Sequence, residues 1–361
     1  MNKWILCSVD IVSIIASFLH CKDAIKLCYL NKTMYAIFLN PVIRYSFVSI
    51  NTDNIVNINK SNIFNTMNLY IDGLKKVKEP IFLYIERLMS YSIEIEDKWS
   101  NLRYISFGKS FNYKIDALPV NIEEIVFHPK SIFNQKITNL KCINLKRIYF
   151  GKSFNQRIDF LPSNVELIHF IETSKFNRPI QKIPLKLKEI YFGQWFNNDI
   201  TALWKYNNLQ RLQFASRSIF SYPIIPSKSL HILSLGIYYN QLLQLENSKL
   251  LNLKFHKLSK YNKQLNLPNT IEILFIGEHF NQPINLHNIQ ILRFYMKSKF
   301  NQQLYIPKSC HTLILGKHFN NIILGCTNLK VLKFSKNSKY NNWKKLAELS
   351  KKNIELIHPQ L

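Results

Sequence analysis

Ten histidines, six cysteines and 22 carboxylates are the residues of this 361-residue chain that could carry acid–base, nucleophilic or metal chemistry. Their spacing points to none of it. The histidines are dispersed, from His20 through His128, His169 and His256 to His358, with no H-E-x-x-H run and no close carboxylate partner. His279 and His318 each stand just before an aromatic residue, which register within a repeat explains better than catalysis. The cysteines at 7, 21, 28, 142, 310 and 326 form no C-x-x-C pair, so neither a zinc site nor a disulfide framework is indicated and reduced thiols are expected. There is no nucleophile elbow, no G-x-G-x-x-G and no G-x-x-x-x-G-K-[ST]. Glu123-Glu124, Glu166 and Glu272 recur at strand positions and are expected to be exposed. The sequence therefore assigns no catalytic residue, no metal ligand and no cofactor, and what remains is the chemistry of recognition.

The elements that would position a recognition surface are repeats. An aromatic followed by Asn recurs from Phe111-Asn112 and Phe133-Asn134 to Phe319-Asn320 and Tyr340-Asn341, with Phe220-Ser221 filling one gap. The twelve marks lie about 21 residues apart, the length of a short leucine-rich repeat. An L-x-x-L-x-F element precedes many of them, as in Leu145 to Phe150, Leu187 to Phe192, Leu209 to Phe214 and Leu329 to Phe334. Its fourth and sixth positions alternate with polar ones, the period of a strand with one buried face. A unit this small cannot bury its apolar face alone, so successive strands must pair in parallel over one continuous core. The mark aromatics would form an internal ladder, and each Asn would cap backbone groups of the tight coil.

A second period overlies the first. Gly108, Gly151, Gly193, Gly236, Gly277 and Gly316 follow the strand in alternate repeats, while Ser131, Ser174, Ser218, Ser259, Ser298 and Ser338 stand before the mark in the others. The glycine position needs either a special φ or a close approach that a Cβ would obstruct. This combination resembles the FNIP repeat, a leucine-rich-repeat relative frequent in social amoebae and in giant DNA viruses of amoebae. Phe176-Asn177-Arg178-Pro179-Ile180 and Phe280-Asn281-Gln282-Pro283-Ile284 carry the eponymous motif. The resemblance covers about 102 to 343 and implies a protein-binding scaffold. In leucine-rich geometry the middle strand residues face the concave side, giving Tyr149, His169, Tyr191, Lys254, Phe275, Arg293 and Lys333 as candidate binding residues, with Gln213, Ser234 and Ile314 among them. Exposed Tyr, Phe and Arg in one stripe suit a protein-recognition surface.

Residues 1–44 lie outside the repeat. Ile11, Ile14, Ile15, Phe18 and Leu19 mark one face of an amphipathic helix, Asp23 caps a second helix to about Leu30, and a third ends at Pro41. Asp10, Ile11, Ile15, Phe18, Leu19, Asp23 and Leu30 resemble an F-box, with Cys7-Ser8 where that family opens on Leu-Pro. The resemblance implies docking to a Skp1-like adaptor of a cullin ubiquitin ligase, with the solenoid holding an unknown target protein. A helical cap on the solenoid, or a protein-binding scaffold whose F-box has decayed, is the alternative. The expected fold is α+β: a small helical F-box-like module (1–44), a connecting region with degenerate repeats (45–101), a parallel solenoid of about twelve FNIP-type repeats (102–343) and a C-terminal cap (344–361). Within 45–101, Ile81 to Met89 fits either a buried strand or a short helix.

Hydrophobic residues make up 47% of the chain, enough for a sizeable core, which excludes wholesale disorder. The net charge of +26 raises nucleic acid or another polyanion as a second class of partner, although a Lys- and Asn-rich composition also arises from codon bias alone. In sequence the lysines fall on strand, turn and loop positions alike, which points to dispersal. Asp10 interrupts the apolar start and no cleavage pattern follows, so secretion is not expected. No apolar run reaches 18 residues, so no membrane partner is expected either. The expectation is an intracellular protein, in host cytoplasm if viral, acting as a monomer within a complex.

Overall fold

The computed structural model describes the backbone of 48–51, 67–72 and 85–90, then residues 102–340 apart from 117, 206, 207, 326 and 336, and finally 348 and 354–357. The F-box-like segment, with Asp10 to Leu30, lies outside the described residues. The chain divides into two compact units, 1–156 with 160–165, and 157–159 with 166–361.

In the first unit, strands β1 (Val48–Asn51), β2 (Met67–Asp72), β3 (Ile85–Ser90), β4 (Tyr104–Phe107), β5 (Glu124–Phe127) and β6 (Arg147–Phe150) pair in sequence order, all parallel. The ladder thus starts upstream of residue 102, and Ile85–Ser90 is a strand. Upstream of residue 102 the one aromatic-Asn pair is Phe64-Asn65, which fits a decayed mark, and for lack of a regular series the sequence places the solenoid's start late.

The second unit continues the pattern with β7 (Leu167–Phe170), β8 (Glu189–Phe192), β9 (Arg211–Phe214), β10 (Ile232–Leu235), β11 (Asn252–Phe255), β12 (Ile273–Ile276) and β13 (Ile291–Phe294). Next come β14 (Leu304–Ile306), β15 (Thr312–Leu315), β16 (Ile323–Gly325), β17 (Val331–Phe334) and β18 (Glu355–Ile357). All pair in parallel, and β14 and β16 form a separate two-stranded sheet on the return side of their turns. The last strand pairs with β17 beyond the final mark, so 355–357 extends the ladder. No described segment is α-helical over more than a single residue; a 3-10 turn at Thr201–Trp204 is the one helical element described.

In the four-residue strands from β4 to β17 the second and fourth residues are buried and reach the core, while the first and third are half-buried or exposed. Parallel register therefore stacks like on like: Ile190 on Leu212, and Leu253 on Leu274. The mark aromatics of the second unit form a continuous ladder from Phe176 to Tyr340, with ring centroids 5.7–6.3 Å apart and planes within 17°. Each pair is worth about 0.5–1.5 kcal/mol beyond area burial. The strand-final Phe stacks on the mark ring of its own turn, at 3.9 Å for Phe192–Phe196 and 4.2 Å for Phe294–Phe300.

The mark asparagines form a second ladder. The Oδ1 of one accepts the backbone N–H of the next mark's residue, as in Asn112 to Asn134 (2.9 Å), Asn177 to Asn197 (2.9 Å), Asn262 to Asn281 (2.8 Å) and Asn301 to Asn320 (2.7 Å). An extended stack of parallel turns leaves these N–H groups without partners inside their own turn, and the side chain one turn back supplies one.

The two-turn period has a packing origin. In serine turns the buried Oγ accepts the N–H of the following aromatic, at 3.1–3.2 Å for Phe133, Phe176, Phe220, Tyr261, Phe300 and Tyr340. The next turn is tighter and its glycine lies against that serine. A Cβ on Gly277 would stand 2.5 Å from Ser259 Cβ, and one on Gly151 would stand 2.8 Å from Ser131 Cβ. Close approach, not a positive φ, selects glycine at these positions.

Candidate functional site

The third residue of each four-residue strand from β4 to β17 points away from the core, and parallel pairing lines these residues into a row. In the second unit the row runs His169, Tyr191, Gln213, Ser234, Lys254, Phe275, Arg293, Ile314, Lys333 and Ile357. Neighbours in it are about 4.8 Å apart along the ladder. Of the seven residues expected from sequence, six fall on this row. Tyr149 occupies the equivalent row of the first unit, opposite Val126.

The row contains two chemically distinct clusters. At the first, the His169 and Tyr191 rings lie 5.0 Å apart. The Tyr191 hydroxyl donates to Glu189 Oε2 at 2.7 Å, and Arg211 Nε stands 3.4 Å from the same oxygen. Burial, reinforced by the Glu189 carboxylate, pushes the Tyr191 phenol up to about 12, so it remains a neutral donor. Burial also holds the His169 imidazole below its ordinary value. Glu189 is the residue that sequence reasoning missed. It stands two residues before Tyr191 on one strand and hence on the same face, which was the available signal.

At the second cluster, cations and rings interleave. Lys254 Nζ lies 5.3 Å from the Phe275 centroid, and the Arg293 guanidinium lies 5.6 Å from Phe275 and 5.0 Å from Tyr295. Such contacts contribute about 0.5–1 kcal/mol each at exposed sites. They also hold long side chains in place before any partner arrives, which lowers the entropy lost on binding.

Between the clusters, Gln213 and Ser234 form the low floor of a depression of about 260 Å³, walled by His169, Tyr191, Lys254 and His256. Nδ1 of His256 accepts the N–H of Leu258 at 3.1 Å, which leaves Nε2 to carry the proton of the neutral ring. Burial, with a smaller contribution from Lys257, holds its value low. The depression can take a side chain with both hydrogen-bonding and apolar parts. Among the described residues no three His, Cys, Asp or Glu lie close enough together to hold a metal ion, and no helix is long and apolar enough to cross a membrane.

At the start of strands β5 to β8, carboxylates pair with cations within each unit. Glu123 accepts from Arg103 at 2.9 Å and Lys146 at 2.8 Å, Glu124 pairs with Arg147 at 2.5 Å, and Glu166 pairs with Lys188 at 2.9 Å. The hydrogen bonds from Lys146 and Arg103 hold the Glu123 carboxyl below the usual carboxylate range.

Residues 133–173 match the family model of the FNIP repeat. No curated protein matches the chain significantly. Among solved structures, CroV588, described as a novel circular LRR protein, aligns with a TM-score of 0.62 at 23% identity. The alignment covers 82% of this chain and 50% of that one, so this chain spans about half the length of that relative. An internalin (inlF) from Listeria monocytogenes aligns at 12% identity with a TM-score of 0.43, over 84% of this chain and 86% of that one. The CroV588 likeness shows a leucine-rich-like fold, and the family match supports an FNIP-repeat protein.

Proposed function

We propose that this protein is the substrate-recognition subunit of a Skp1-cullin-F-box ubiquitin ligase, with the strand face of its solenoid capturing a target protein. The observation that carries the scaffold part is the in-register row from His169 to Lys333, where aromatic and cationic side chains are fixed by each other on a hydrogen-bonded ladder. Tyr and Arg concentrate binding energy at interfaces, and solenoids typically present such faces as binding surfaces. The adaptor part rests on the F-box-like residues Asp10, Ile11, Ile15, Phe18, Leu19, Asp23 and Leu30, placed ahead of the solenoid in the order common to ligase substrate receptors.

Two experiments separate the parts. Purified Skp1-like adaptor binds the full chain, and the triple change Ile15→Asp, Phe18→Asp and Leu19→Asp abolishes binding while leaving the melting temperature of the solenoid in place. Adaptor binding that survives the triple change removes the ligase reading. Phe275→Ala with Arg293→Glu abolishes target capture and leaves adaptor binding intact. Equal loss of both would refute the division of labour.

A further inference from the structure

The charge that looks dispersed in sequence is concentrated once the turns are stacked. Between β10 and Tyr340, the short loops that follow each strand form one lateral edge of the second unit. Six described cations lie on it: Lys257, Lys260, Lys297, Lys299, Lys317 and Lys339, with Glu278 as its one described carboxylate. The longer return segments of the same turns carry Lys249, Lys263, Lys308 and Lys330, spread over about twice as many residues, with Glu246 and Glu272. No salt bridge occupies the six edge lysines among the described residues, in contrast to the paired cations ahead of the strands.

Backbone hydrogen bonds hold this edge in register from turn to turn. The Glu278 N–H donates to Lys257 O at 2.9 Å and the Lys299 N–H to Glu278 O at 2.7 Å. The Lys317 N–H donates to Met296 O at 2.8 Å and the Lys339 N–H to Lys317 O at 3.2 Å. The lysines therefore project from a fixed row about 19 Å long, at about 4.8 Å per turn. Planar side chains interleave with them. Tyr238, His279 and His318 occupy one position in alternate, glycine-bearing turns, about 10 Å apart. Tyr238 is half exposed and Lys260 Nζ lies 5.3 Å from its centroid.

We infer that this edge binds single-stranded nucleic acid, with the lysines tracking the phosphates and Tyr238 and its ring equivalents stacking bases one at a time. A one-loop-wide row of cations with rings set between them matches a single strand, which offers a line of phosphates and free base faces. A duplex hides its base faces, and an anionic bilayer has none to stack. The edge lies beside the strand row that the proposed target-binding role uses, and it includes none of that row's residues.

The test is fluorescence anisotropy of the intact chain with labelled ten-nucleotide oligouridylate and oligothymidylate at 50, 100 and 200 mM salt. Four engaged phosphates give a slope of log K against log salt of about −2.8. Lys257→Glu, Lys299→Glu and Lys317→Glu together weaken binding at least tenfold and flatten the slope by about 2. Tyr238→Ala weakens it about fivefold or more with the slope unchanged. The matched control, Lys249→Glu, Lys263→Glu and Lys308→Glu, carries the same net charge and stays within about twofold of the parent. Equal loss in the two triple variants means that affinity follows net charge alone, and it overturns the proposal. So does tighter binding to duplex or to phosphatidylserine vesicles than to either oligonucleotide. If the edge triple fails to fold by thermal melt, Lys299→Gln decides: an unchanged slope overturns the inference, and a slope flattened by about 0.7 supports it.

Discussion

The interlock between glycine and serine turns gives the sharpest test of how this solenoid is built. In Gly277→Ala the new Cβ meets Ser259 Cβ at 2.5 Å, His256 O at 3.0 Å and Ser259 Cα at 3.1 Å. The first contact is more than 1 Å inside an ordinary carbon–carbon separation of about 3.5–4 Å. Neither partner can swing away, because Ser259 is fully buried and its Oγ accepts the Tyr261 N–H at 3.2 Å. The turns must separate locally, which places the cost at the upper end of overpacking, about 3 kcal/mol. For a unit of this size that lowers the melting temperature by about 6–12 °C. Ser259→Gly alone removes the acceptor of a buried N–H and costs about 1–3 kcal/mol. The double variant removes the worst clash, so the two changes couple favourably by about 1–2 kcal/mol in a double-mutant cycle. Differential scanning calorimetry on the four proteins measures this. A Gly277→Ala protein melting within a degree of the parent, or a coupling of zero, refutes the interlock.

Other consequences follow from the same geometry. Asn281→Ala deprives the Asn301 N–H of its acceptor and lowers stability by about 1 kcal/mol, whereas Asn281→Asp keeps an acceptor oxygen and stays within about half of that, as urea midpoints will show. Phe300→Ala removes a ring stacked on Phe280, Phe319 and Phe294 and costs about 3–5 kcal/mol. His169 binds a proton more weakly folded than unfolded, so stability is fully present above about pH 6.5 and declines as the pH falls through that value. His256 acts in the same direction, and His169→Gln flattens the decline measured by denaturation between pH 7.5 and 5.5. Phe275→Ala removes two cation–ring contacts and lowers stability by about 1–2 kcal/mol, and by freeing Lys254 and Arg293 it weakens target capture at least tenfold.

Much of this architecture is legible because its determinants repeat. The aromatic at each mark, the Asn beside it and the period-two strand recur often enough to fix length, parallel pairing and the outward row containing Tyr191, Lys254, Phe275 and Arg293. What stayed hidden depends on which turns are neighbours. Gly277 signals a constraint in sequence, but only packing on Ser259 shows the constraint to be steric. Glu189 reads as one more exposed carboxylate until its partners Tyr191 and Arg211 are placed beside it. The lysines at 257, 299 and 317 are 42 and 18 residues apart in sequence but only two turns and one turn apart on the edge. Around strands β1 to β3 the sequence offers only the isolated Phe64-Asn65, so it is their pairing that reveals that the ladder extends through them.

In the proposed function, a target protein is held on the strand face between Tyr191 and Arg293. Photo-crosslinking from single sites on the intact chain addresses it directly, with the photoreactive residue placed at Gln213 or Ser234 on the strand face, or at Lys228 or Lys249 on the return side. The expected result is a discrete crosslinked partner from the two strand-face positions, lost on Arg293→Glu, and none from the return side. Crosslinks of equal yield from both sides, or from the return side alone, would contradict it.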